Sequence, residues 1–148
     1  MRFLCGVLAA LVLLTGCTSA IPGTATKGPV TDEWRDAVVD AVSKLGTTLG
    51  PVGTAMAKED FPALQTACKA LSTYLDTMAR TVLPGPDLLV NAALRDGING
   101  YRSVANLCVR LSDQSSPDDL QFLNDTLTGA DRRIKDALRL LRVKIPRR

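Results

Sequence analysis

Four stretches of helical periodicity follow one another from residue 31 toward the end of the chain, and no other feature restricts the fold as much. In the first, Trp34, Val38, Ala41, Leu45, Val52 and Met56 share one stripe at ~100° per residue. Thr31 stands ahead of it as an N-cap, with Asp32 and Glu33 in the first turn. The second puts Leu64, Cys68, Leu71, Leu75, Met78 and Val82 on one face, capped by Asp60 with Pro62 in the first turn. The third aligns Leu89, Ala93, Gly97, Gly100, Val104, Cys108 and Leu111 behind Asp87. The fourth opens with Ser116 as cap, Pro117 at the first position and Asp119 closing an approximate capping box. It carries Leu120, Leu123, Leu127, Ala130, Ile134, Leu138 and Leu141.

Each period runs about 23 to 27 residues, and the joints at "KED", "PGP" and "DQSS" are short. Helices of matched length joined by short turns pack as neighbours. The predicted fold is therefore all-α, an up-down-up-down four-helix bundle. A chain of 148 residues supports one such domain and not two. Gly46 to Pro51 interrupt the first period, but its phase survives from Leu45 to Val52 and Met56, which favours a kinked continuous helix over a break.

Gly97 and Gly100 remove side-chain volume from the inner face of the third helix. They read either as a close approach by a neighbouring helix or as space for an apolar ligand. In the second case Gly50 and Pro51, at the kink, are further candidates to line the cavity.

The chain contains no histidine. That removes Ser-His and Cys-His nucleophiles, imidazole metal ligands and the Glu-x-x-His sites that bundles host. The acid pairs Asp32/Glu33, Glu59/Asp60 and Asp118/Asp119 all fall at predicted helix N-termini, where capping and the helix dipole already favour negative charge. Tyr74 and Tyr101 lie at stripe edges, where a tyrosine covers a core rim more readily than it ligates haem iron. No catalytic constellation, metal site or cofactor is expected, and the chain is read as a non-enzyme.

Ahead of the helices, Arg2 and the apolar run Phe3 to Leu14 have the charge order and length of an export leader, too short for a bilayer core that needs about 20 residues. The run ends in Leu14-Thr15-Gly16-Cys17, which resembles the lipobox of bacterial lipoproteins. The resemblance implies removal of residues 1–16, a diacylglycerol on the Cys17 thiol and acylation, such as palmitate, of its new amine. The competing reading is an ordinary secretory leader cut after Thr18-Ser19-Ala20. Two or three acyl chains would hold firmly, since each buried CH₂ contributes about 0.8 kcal/mol. Residues 17–30, small and polar after the cysteine, read as a flexible tether, and 31–148 as the bundle. The "GTA" and the threonines of the tether resemble lipoproteins of mycobacteria and their relatives, where such threonines carry sugars.

With Cys5 lost and Cys17 lipidated, Cys68 and Cys108 remain as a pair in a disulfide-permissive compartment. A structural disulfide between helices two and three is expected, although along the helices Cys108 lies about 7 Å further from the "PGP" joint than Cys68 does. The last feature is basic: Arg132, Lys135, Arg139 and Arg142 follow a 3-4-3 spacing opposite the apolar stripe, and Lys144, Arg147 and Arg148 continue the run. This is either a solvated face or a surface for anionic lipid headgroups, where each nearby cation contributes about 1 kcal/mol. With 18 basic against 15 acidic residues the net charge is only +3, and an exported chain meets no nucleic acid. The sequence thus leads to a lipid-anchored protein on the outer face of the cell membrane. It acts as an interaction or structural module for an envelope partner, or alternatively as a carrier of a lipid or other apolar molecule.

Overall fold

The computed structural model describes residues 28–143, which form four α-helices and no strand among the described residues. The elements are α1 (Asp32–Ala57), α2 (Phe61–Val82), α3 (Leu88–Cys108) and α4 (Pro117–Leu140). Lys144, Arg147, Arg148, Cys17, the leader and most of the tether lie outside the described residues.

Each helix starts where a side-chain oxygen satisfies its first backbone donors, which otherwise lack partners. Thr31 Oγ1 accepts from Trp34 N at 3.2 Å, and Asp60 accepts from Ala63 N at 3.1 Å. Asp87 accepts from both Leu89 N and Val90 N at 2.9 Å. At α4 the capping box is complete: Asp119 N donates to Ser116 Oγ, and Ser116 N donates back to Asp119 Oδ2. Hydrogen bonds from the Ser116 side chain and backbone hold the Asp119 carboxyl below its ordinary range, the side-chain bond contributing most. Two helices end in left-handed residues, Glu59 (φ 53°) after α1 and Arg142 (φ 57°) after α4. In each case the next residue bonds back to the last turn, Asp60 N to Ala55 O and Val143 N to Leu138 O.

Pro51 lies inside α1 without ending it. Its missing N–H leaves the carbonyl of Thr47 without a helical donor. Gly50 and Pro51 face solvent, so water can reach the interruption, and the helix runs through as the apolar phase required.

Packing follows chain order, α1 on α2, α2 on α3 and α3 on α4, the last being the most extensive. Contacts pair rising numbers in one helix with falling numbers in the next. Trp34 Nε1 donates to Val82 O and Tyr74 Oη to Ala41 O across α1 and α2. Gln65 Nε2 reaches Leu111 O across α2 and the end of α3. Gly97 meets Ile134, and Gly100 meets Ala130, across α3 and α4. Inside, Val38, Leu45, Leu71, Leu75, Met78, Leu94, Ile98, Leu123 and Ile134 belong to one continuous core. Each fully buried leucine contributes roughly 1.5–3 kcal/mol relative to an exposed one.

Cys68 and Cys108 form a disulfide, with Cα atoms 6.1 Å apart and both residues fully buried. The axial offset between them is absorbed by the joint at 83–87. Cys68 stands 14 positions before the end of α2 and Cys108 stands 20 after the start of α3, so bonding the two sets the start of α3 beyond the end of α2, and Leu83 leaves α2 in an extended conformation (φ −122°, ψ 140°).

Candidate functional site

The joint between α2 and α3 contains the one buried polar side chain among the described residues, Asn91. Asn91 Nδ2 donates to Gly85 O at 2.5 Å, and Gly85 N donates to Asn91 Oδ1 at 2.7 Å. The Trp34 ring lies directly on Gly85, leaving no room there for a Cβ. Its indole N–H meanwhile satisfies Val82 O at 3.1 Å. One indole and one amide thus fix the start of α1, the end of α2 and the start of α3 together. Asn91 carries no sequence signal of its own, because an asparagine among Val90, Leu94 and Ile98 reads as an ordinary helix residue.

Gly28 N donates to Pro86 O at 3.3 Å, and Val30 packs against the core. Residues 28–30, assigned by composition to the tether, are therefore held along this joint. Leu88 and Leu89 project just beyond it, 47% and 68% exposed. A shallow apolar depression lies between them and Pro29.

The four glycine-kink positions do not come together. A Cβ on Gly97 would stand 2.6 Å from Ile134 Cδ1, and one on Gly100 would stand 2.8 Å from Ala130 Cβ. Both glycines serve close approach of α3 and α4, the first of the two readings, and Ile134 fills the space at Gly97. Gly50 and Pro51 lie elsewhere, on an open depression near Lys58 and Ala63. The more enclosed apolar groove is one that periodicity did not indicate. It has about 330 Å³ between Ala55 and Met56 of α1, Phe61 and Leu64 of α2, and Leu120 of α4, with Glu59, Ser112, Asp113 and Ser115 as its polar rim. Leu120 is 40% exposed there, although its stripe position predicted burial.

On the basic face of α4, Lys135 pairs with Asp131 at 2.5 Å and Arg139 with Asp136 at 2.9 Å. Arg132 and Arg142 are exposed. The positive charge of this segment is thus lowered by neighbours one turn away. Exposed pairs of this kind contribute only about 0–1 kcal/mol.

Tyr74 and Tyr101 serve the core. Tyr74 Oη donates to Ala41 O at 2.6 Å. Tyr101, expected at a stripe edge, is 3% exposed. Burial, helped by the negative charge of Asp131, pushes its hydroxyl up to about 12. Among the described residues no three His, Cys, Asp or Glu side chains gather where they could hold a metal ion. No helix among them is long and apolar enough to cross a membrane. Comparison with protein-family models, with curated proteins and with solved structures finds no match.

Proposed function

We propose that this chain is an exported lipoprotein, anchored through Cys17 on the outer face of the cell membrane, whose helices form an up-down-up-down bundle that works by presenting a surface to an envelope partner. The observation that carries the reading is Leu14-Thr15-Gly16-Cys17 at the end of a correctly sized apolar leader. The fold is compatible with it, because the first described residues enter at one end of the bundle, where Gly28 meets Pro86. A non-catalytic role accords with the side chains available: one acid of each pair that stood out in sequence, Asp32, Asp60 and Asp119, is engaged at a helix start. The cations of α4, with Lys144, Arg147 and Arg148 behind them, suit anionic headgroups.

The test is the denatured mass of the mature protein purified from its own membranes, beside a Cys17→Ala variant. An N-terminus at Cys17 bearing acyl chains, and release or failed processing of the variant, is the expected result. A mature chain beginning at any other residue sinks the proposal.

The groove at Met56, Phe61 and Leu64 favours a second reading, a carrier for an apolar molecule such as a lipid. Native mass spectrometry of the same preparation decides it. A discrete excess mass that disappears on denaturation supports cargo, and a native mass equal to the denatured one removes it.

A further inference from the structure

Both ends of the bundle expose apolar side chains, but Leu120 and Phe122 at one end stand among the exposed acids Asp113, Asp118 and Asp119, and the other end differs. The contacts Trp34 with Val82 and Gly28 with Pro86 bring the start of α1, the end of α2 and the start of α3 to this end. Continuing the register of Gly97 on Ile134 and Gly100 on Ala130 brings the end of α4 to the same level. Here Leu88 and Leu89, in the first turn of α3, project past the last turn of α2 and remain exposed, as does Leu140 on α4. Arg139 and Arg142, both exposed, lie at the same level at the end of α4. Of the acids at this end, Asp32 and Glu33 lie at the start of α1, and Asp87 caps α3 beside Leu88. Asp32 is paired with Arg35, Asp87 is occupied by the backbone of Leu89 and Val90, and Glu33 is exposed. Apart from Asp87, whose carboxylate is taken up by the backbone, the α3/α4 edge at this end is apolar and basic, and the remaining acids lie at the start of α1.

The geometry points to a seating surface for the membrane: the α3/α4 edge, led by Leu88 and Leu89, inserts at the headgroup boundary of an anionic lipid layer, and the bundle stands on the bilayer with its α1 side raised. Exposed leucines beside cations are what an interfacial element needs, since apolar burial and attraction to anionic lipid add together. Covalent distance makes a weak contact sufficient. Cys17 and Gly28 are eleven positions apart in the sequence, so even a fully extended chain holds this end within about 40 Å of the acyl groups. At such confinement a contact too weak to bind from solution is well populated. The inference rests on the lipid-anchored reading, and it assigns to the bundle a fixed orientation that the anchor alone does not impose.

The experiment uses the full mature lipidated protein reconstituted into vesicles of phosphatidylglycerol and phosphatidylcholine. An environment-sensitive fluorophore is attached at Ala92→Cys, an exposed position three and four residues beyond Leu89 and Leu88 and so on their face. A second preparation carries it at Gln121→Cys, at the opposite end. Expected are a blue shift, several-fold weaker quenching by aqueous iodide and quenching by a lipid-borne nitroxide at 92, with none of these at 121. Adding Leu88→Glu and Leu89→Glu, both solvent-facing and so compatible with folding, removes the response at 92 while the protein still floats with the vesicles. A floating protein whose position 92 stays fully aqueous overturns the seating and leaves the anchor intact. Protection from iodide without quenching by the nitroxide also overturns it, since a second copy or another protein then covers the leucines. A protein that does not float with the vesicles overturns both.

Discussion

Replacing Gly100 by alanine tests the α3–α4 contact quantitatively. The new methyl would stand 2.8 Å from Ala130 Cβ and 3.2 Å from Ala130 Cα, where carbon atoms prefer about 3.5–4.0 Å. α4 must retreat by nearly an ångström along the most extensively packed interface of the protein, and overpacking of this kind costs about 1–3 kcal/mol. Alanine returns about 1 kcal/mol of helix propensity. Gly100→Ala should therefore lower stability by about 1 kcal/mol, equivalent to a Tm lower by about 4 °C. Ala130→Gly alone should cost about 2 kcal/mol, from propensity and one buried methyl. Combined, the two move a single methyl from one helix to the other. The double variant should then lie within about 1 kcal/mol of the parent, giving a coupling of about 2 kcal/mol. Urea unfolding of the four oxidised proteins, followed by far-UV circular dichroism, measures the cycle. The close approach is refuted if Gly100→Ala stabilises by its full propensity gain, or if the two changes are additive.

Four further outcomes are expected. Replacing Cys68 and Cys108 together by alanine reopens a loop with a sequence separation of 40 and should lower stability by about 4 kcal/mol on the chain-entropy argument, read by urea unfolding of the two forms. Tyr101 is raised in the folded state to about 12, so its contribution is complete below pH 10 and is lost as pH rises from 10 through 12. That loss should amount to about 2 kcal/mol and be absent in Tyr101→Phe, read by unfolding at several alkaline pH values. Asp119 is lowered in the folded state, so its contribution is present above the ordinary carboxylate range and fades as pH falls through the folded value. Ser116→Ala should flatten that acid limb in unfolding experiments between about pH 5 and 2. Glu59→Gly, at φ 53°, should stabilise by about 1 kcal/mol, seen as an upward shift of the urea midpoint.

The sequence was most legible where a helix has one inward face. Every residue of the α2 stripe from Leu64 to Val82 is buried, and all four N-caps are occupied as their residue types required. It was least legible in α3, which packs on both α2 and α4 and so buries two faces. A single stripe led by Leu89 selected an exposed leucine and passed over Val90, Leu94, Ile98 and Ala105. At α4 the same reasoning overstated Leu120, in the first turn, and passed over Ala137, which lies one position off the stripe drawn through Ile134 and Leu138. The cysteine pair was readable from parity once Cys5 and Cys17 were set aside with the leader-like run. The geometry that closes it was not, since the reach of the joint at 83–87 depends on the extended Leu83 and on Asn91, neither of which has a periodic signature. The groove at Met56 and Phe61 was equally hidden, because it arises where the end of α1 and the start of α4 meet the α3–α4 connection, a relation between elements and not a pattern within one.

The disulfide also divides the chain mechanically. Cys68 and Cys108 close a ring that contains most of α2, the Trp34-covered joint and all of α3, and leave α1 and α4 as separate arms on either side. Tension applied between the two ends of the oxidised protein passes through the sulfur bridge and cannot draw out the ring, whose 40 intervening steps would otherwise yield about 140 Å of contour. Under load the arms can peel away while the central hairpin keeps its length. Reduction would turn the same chain into a far more extensible strand.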